Sequence, residues 1–339
     1  MEIRPVSRLV LLLLALAVLA LGAAGCGRDD GGDDAGDEAN IEDTTGGAAT
    51  GAPQEELSGD VIIDGSSTVG PLTTAAAAAF RDEQPGVNIE VGTSGTGGGF
   101  ERFCAGETDI SNASRGIDEE EEVPICESAG IEYTEFQVGV DALTVVVNAE
   151  NDWATCLTVD QLKTIWEPKA EGKVTNWNQV DPSFPDQALS LAGPGTDSGT
   201  FDYFTDEING EEGASRSDYT PSEDDNVIVQ AVSGDEGGLG YFGFTYYEEN
   251  EDTLKALEVD GGEGCVAPSV DTARDGSYAP LSRPLFIYVK NESLQKPEVR
   301  GFVEYFLTNS IQLAEDALFI PVPDEQVDEN LSTLESAGA

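Results

Sequence analysis

The 339-residue chain has no histidine, one methionine, three tryptophans and only 16 basic residues against 66 acidic ones. Without histidine, neither a Ser-His-Asp nor a Cys-His arrangement is possible, and a His-containing metal site is excluded with them. A phosphate loop of the GxxxxGK[ST] kind is also missing. The shortage of basic residues leaves a net charge of −50. Such a surface repels nucleic acid and anionic lipid, so neither is expected as a partner. The acidic excess reads as an adaptation to salty surroundings, and it sets a condition. Any anion that binds must be held by local dipoles against the field of the whole molecule.

What is present begins with an export signal. Arg4 and Arg8 precede an apolar run over residues 9–21, too short for a comfortable membrane span, and Gly22-Ala23-Ala24-Gly25 then leads into Cys26. Small residues before a cysteine resemble a bacterial lipobox, which implies removal of residues 1–25 and lipid on the sulfur of Cys26. Residues 26–57 hold Gly, Asp, Glu, Ala and Thr with almost no large apolar side chain. That composition cannot order itself and reads as a flexible acidic tether.

Order is expected from residue 60. Val61-Ile62-Ile63 forms a short strand, followed by Asp64-Gly-Ser-Ser-Thr-Val-Gly-Pro71. Ser67 or Thr68 suits a helix cap, and Pro71 a first helical position. An alanine-dominated helix over 72–81 and a strand over 87–91 come next, delivering the chain into Ser94-Gly-Thr-Gly-Gly-Gly99. Strand, helix, strand, helix at this spacing means an α/β unit, whose ligands sit beyond the carboxyl ends of strands. A Ser/Gly-rich turn before a helix offers hydroxyls, unpaired N–H groups and the positive end of the helix dipole, together an oxyanion site of neutral donors. The Asp64–Pro71 stretch follows the same plan, and so does Gly193-Pro-Gly-Thr-Asp-Ser-Gly-Thr-Phe-Asp-Tyr-Phe204, where Ser198, Gly199 and Thr200 stand just before a helix.

Further along, a β-rich stretch over 131–148 and a buried strand over 285–289 look like two crossings between lobes, and two crossings make a hinge. Lobe I is expected to comprise residues 58–140 and 287–339, and lobe II residues 141–286. Helices are expected over 159–165, 226–232 and 297–308. Besides Cys26 there are four cysteines, and an even number in an exported chain argues for two disulfides with three possible pairings. Cys104–Cys126 and Cys156–Cys265 respect the lobe boundaries.

Five motifs, Asp64–Pro71, Ser94–Phe100, Ile110–Arg115, Asp197–Thr200 and Gly238-Leu-Gly-Tyr-Phe242, stand in the order seen in the phosphate-binding proteins of bacterial phosphate ABC transporters. The chain resembles that family over about residues 58–325. The resemblance implies a type II periplasmic-binding-protein fold: α/β, two lobes, two mixed sheets flanked by helices and joined by a two-crossing hinge. It implies a monomer that closes on inorganic phosphate without changing it covalently, needs no cofactor or metal, and hands the ion to membrane permease subunits. The expected ligands are Ser67, Thr68 and Val69 at the first loop, Ser94 or Thr96 at the second, and Ser198, Gly199 and Thr200 from the other lobe. Enteric-type members carry an acid where Arg115 stands and an arginine near Pro194. Arg115 is therefore expected to supply a charge-assisted grip, unless it pairs with a surface glutamate. The acid that accepts the anion's proton is then to be sought among Asp64, Asp109 and Asp197. Rival readings are a binding protein for sulfate or molybdate, an anchored phosphoester hydrolase using Ser94 or Ser198, and a surface sensor or adhesin that has kept the fold. The hydrolase lacks any histidine base for its serine.

Overall fold

A computed structural model of the chain describes residues 56–337. The expected signal segment, Cys26 and nearly all of the acidic tether lie outside the described residues. The order begins β1 (Ser58–Gly65), α1 (Gly70–Glu83), β2 (Gly86–Val91), α2 (Thr96–Cys104), β3 (Ile110–Ala113), α3 (Val123–Ala129) and β4 (Tyr133–Asn148). It continues with β5 (Cys156–Thr158), α4 (Val159–Trp166), β6 (Ser190–Pro194), α5 (Gly199–Phe204), β7 (Thr220–Ser222), α6 (Asp225–Ser233) and β8 (Gly238–Gly243). The remainder is α7 (Phe244–Glu248), β9 (Leu254–Ala256), β10 (Glu258–Asp260), β11 (Cys265–Val266), α8 (Val270–Arg274), β12 (Ser282–Lys290), α9 (Pro297–Thr308), α10 (Ser310–Asp316) and α11 (Asp324–Ser336).

Two mixed sheets share the long strand β4. In the first, β1 lies parallel between β2 and β3, and β12 runs antiparallel to both β3 and β4. In the second, β4 pairs antiparallel with β8 and β9, while β6 lies parallel between β7 and β8. A small third sheet joins β10 to β5 and β11. The type II two-lobed fold expected from the sequence is the one observed, with β4 and β12 running side by side at the crossing.

Side-chain alternation along β4 sorts the cores. Phe136 and Val138 enter a cluster with Leu72, Phe80, Ile287, Phe302 and Phe306, whereas Leu143, Val145 and Val147 enter another with Leu162, Trp166, Tyr203 and Leu239. Val146, on the opposite face, packs on Ile228 and Val232 of α6, as the period of two requires. Leu57, the last residue of the expected tether, already packs on the first core. Disulfides join Cys104 to Cys126 and Cys156 to Cys265, the pairing that respects the lobe boundaries. Each lies within one expected lobe.

Candidate functional site

Strands β1, β2, β3 and β6 all end at one cleft. Parallel registry aligns Ile63 with Val91 and with Ile110. The loops that follow, 66–69, 92–95 and 114–116, therefore emerge together, opposite Gly199 at the start of α5. That is the carboxyl-end location where α/β sheets bind ligands. A cavity of about 550 Å³ opens there, lined by Ser67, Thr68, Ser94, Thr96, Arg115 and Gly199 among the expected residues.

The loop after β1 is shaped by Ser66 rather than by its neighbours. Helix α1 has no side-chain cap from Ser67 or Thr68. Instead the buried Ser66 hydroxyl accepts the N–H groups of Thr68 at 3.2 Å and Val69 at 3.4 Å. Val69 is fully buried and does not line the cavity. Ser67 and Thr68 do face the cavity.

Helix α2 begins at the second loop. Its N-cap Gly95 has φ 84°, a left-handed conformation that glycine takes without steric cost, and no side chain caps it. The N–H groups of Thr96, Gly97 and Gly98, the first turn, have no partner within their own helix, and all three residues line the cavity. The helix lies close on β1: a Cβ on Gly99 would stand 2.4 Å from the Cα of Gly65. Thr96 Oγ1 contacts the Ser114 hydroxyl at 3.1 Å and accepts the Ser114 N–H at 3.2 Å. Thr96 thus clamps two loops, and Ser94 is the more exposed of the two candidate hydroxyls.

Arg115 stands at the cavity edge, 5.6 Å from the Phe100 ring centroid. Its Nη1 donates to Glu122 Oε2 at 2.8 Å and to the Gly116 carbonyl at 3.0 Å, and its Nη2 donates to Glu122 Oε1 at 2.8 Å. The expected surface pairing with a glutamate is present. A guanidinium has five N–H donors, so Nε–H and one Nη2–H remain unengaged among the described residues.

From the opposite lobe, Ser198 caps α5 by accepting the Thr200 N–H at 3.2 Å. Gly199 lines the cavity, while Ser198 and Thr200 flank it without lining it. A Cβ on Gly199 would lie 3.8 Å from Thr68 Oγ1, so the two lobes approach each other at this point.

None of the three acids expected to accept a proton lines the cavity. Asp64 is buried and pairs with Arg102, and it accepts the N–H groups of Gly65 at 2.8 Å and Ser94 at 2.9 Å. Burial alone would raise its pKa, but the Ser94, Arg102 and Gly65 hydrogen bonds outweigh that and hold it below the ordinary carboxylate range. Asp109 is tied to Ile62, Ser293 and Lys296, and Asp197 is exposed beside Glu223.

The carboxylates that do line the cavity are Asp202, Asp206, Glu207 and Glu212, which motif reading had passed over. Asp202 lies in α5, and a short π-helical turn at Thr205–Asn209 carries Asp206 and Glu207. Such turns occur often at functional sites. Burial raises the pKa of Asp202, with help from Glu212 and against Arg283. Burial also raises that of Glu207, with help from Asp206 and again against Arg283. Arg283 was likewise missed, although an arginine opening a strand in a chain with 16 basic residues was a visible signal. It lines the cavity and donates from Nη2 to Thr68 Oγ1 at 2.8 Å.

The model of the PBP superfamily domain matches residues 48–310. Protein SphX of Synechocystis is 51% identical over 271 residues, covering 80% of each chain. The phosphate-binding protein PstS of Staphylococcus saprophyticus is 40% identical over 279 residues, covering 82% of this chain and 85% of that one. The crystal structure of a possible phosphate binding protein from Planctomyces limnophilus superposes with a TM-score of 0.80 at 45% identity, over 83% of this chain and 99% of that one.

Proposed function

We propose, from the premise that this chain belongs to the PBP superfamily and to its phosphate-binding branch, that it captures inorganic phosphate outside the cytoplasm and delivers it to an ABC permease for import. The observation that carries this reading is the meeting of Thr68 and Gly199, from opposite lobes, across a cavity walled by Ser67, Ser94 and the first turn of α2. Neutral donors of this kind hold an oxyanion without adding net charge. Arg115 adds the free edge of its guanidinium, and charge-assisted hydrogen bonds are about twice as strong as neutral ones.

The acidic wall of lobe II supports phosphate over sulfate. Near neutral pH phosphate still carries a proton to donate to a carboxylate, whereas sulfate offers none and meets only repulsion. Asp202 and Glu207 line that wall, and burial makes their carboxylates more basic, so in their ionised forms they are the acceptors this reading assigns to the phosphate proton. The site binds without covalent change, since no histidine is present to activate a serine hydroxyl.

The protein acts as a monomer, exported and held to the outer face of the membrane by lipid on Cys26. The motif before Cys26 supports the anchor. No helix among the described residues is long and apolar enough to cross a membrane. Permease subunits recognise the closed form.

Calorimetric titration of ligand-free chain from Gly27 onward, in high salt, with phosphate and then sulfate, tests the reading. Micromolar or tighter phosphate binding with sulfate silent is the expected result. Binding of both would reduce the assignment to an oxyanion carrier, and binding of neither would overturn it. For the anchor, Cys26→Ser is expected to release the protein from membranes, and its retention there would exclude the lipid.

A further inference from the structure

Arg283 occupies the point where the chain returns from lobe II, at the start of β12. Its Nε donates to Asp141 Oδ2 at 3.2 Å, and Nη2 lies 3.1 Å from the same oxygen. Asp141 sits in β4, the other crossing strand, and is buried. Nη2 also reaches Thr68 Oγ1 at 2.8 Å, in lobe I. The guanidinium carbon lies 3.5 Å from the ring centroid of Tyr203, a residue of α5 in lobe II. The Tyr203 hydroxyl donates to the Pro280 carbonyl at 2.6 Å. One side chain therefore touches both crossing strands and an element of each lobe.

We propose that Arg283 is a positioning residue of the anion site, acting through Thr68 on one side and through Tyr203 on the other. This rests on the phosphate-binding reading above. Because Thr68 Oγ1 accepts from Arg283, its own hydrogen turns away from the guanidinium and becomes a donor for the anion. Stacking on Tyr203 seats α5, and with it Gly199, against the hinge. A lysine keeps the charge but cannot hold Asp141, reach Thr68 and cover the Tyr203 ring at once.

A double-mutant cycle tests this on the full-length chain, with inorganic phosphate as ligand and calorimetry as readout. Thr68→Val and Arg283→Lys are each expected to weaken phosphate tenfold or more. The double variant is expected to lie within threefold of either single one, because both remove the same donor. Arg283→Lys within twofold of wild type would overturn the proposal, as would losses that multiply in the double variant. If Arg283→Lys unfolds, Tyr203→Leu tests the other arm by small-angle scattering. Contraction on phosphate addition is expected in wild type and lost in that variant; retained contraction would overturn the proposal. Wild type failing to bind phosphate would sink the functional reading and this inference together. Wild-type binding with an unaffected Arg283→Lys would sink this inference alone.

Discussion

Glu122 holds one edge of the Arg115 guanidinium through two hydrogen bonds of 2.8 Å and leaves the other edge unengaged. A carboxylate that takes both edges would compete with an incoming anion. One that takes a single edge orients the fork and keeps Nε–H and one Nη2–H for the ligand.

Arg115→Ala is therefore expected to weaken phosphate binding tenfold or more, about 1.4 kcal/mol, with the fold intact because the side chain is about half exposed. Titration calorimetry reads this directly. An unchanged dissociation constant would remove Arg115 from the site and leave it as the partner of Glu122.

A second expectation concerns pH. Burial, then Asp224 and Glu223, push the Asp225 carboxyl up from 3.8 to about 6. The folded state thus binds its proton more tightly than the unfolded one, and stability falls as pH rises through the window from about 4 to 6. Asp225→Asn removes that penalty. It is expected to stabilise the protein at pH 7 by about 1–2 kcal/mol, after discounting for solvent at a partly exposed group, and to match wild type at pH 4. Urea denaturation at both pH values measures the difference, and equal stability at pH 7 would refute it.

With a net charge of −50, self-repulsion opposes the compact state. Raising ionic strength from 0.1 to 1 M shortens the screening length from about 10 Å to about 3 Å. The thermal unfolding midpoint is expected to climb across that range. A midpoint that is flat in sodium chloride would show that repulsion among the surface carboxylates does not limit stability.

The two disulfides are expected to separate stability from binding. Closing a loop of 109 residues at Cys156–Cys265 is worth about 5 kcal/mol in the chain-entropy account, against about 3 kcal/mol for the 22 residues of Cys104–Cys126. Replacing the first pair by serine should cost more in denaturant midpoint and leave phosphate affinity near wild type. Replacing the second should also weaken binding, because Cys104 ends the helix whose first turn lines the cavity and Cys126 lies one turn beyond Glu122. Equal affinity in both variants would break that link.

Periodicity and motif order made much of this fold legible in advance. The amphipathic helix expected over 297–308 is α9 residue for residue. The long β-rich stretch is β4, and the two cysteine pairs follow from which lobe each half occupies. The short strands β5, β7, β9, β10 and β11 were not anticipated, because two or three residues carry no periodic signal. β5 and β9 depend on partners about a hundred residues away, and β7 pairs with β6 across α5.

Of the site, the sequence alone determined the Ser/Thr/Gly loops, because turns before helices need those residue types locally, whatever the rest of the chain does. It could not tell that Ser67 and Thr68 line the cavity while Val69 does not, or that the acids lining it are Asp202, Asp206, Glu207 and Glu212. Those outcomes depend on which way a side chain faces once the strands are in register. Tertiary structure alone brought Arg283 to Thr68 across 215 residues and turned Asp202 and Glu207 toward the cavity. Through-space charge and burial have no fixed spacing along a chain, so only the folded molecule assembles them.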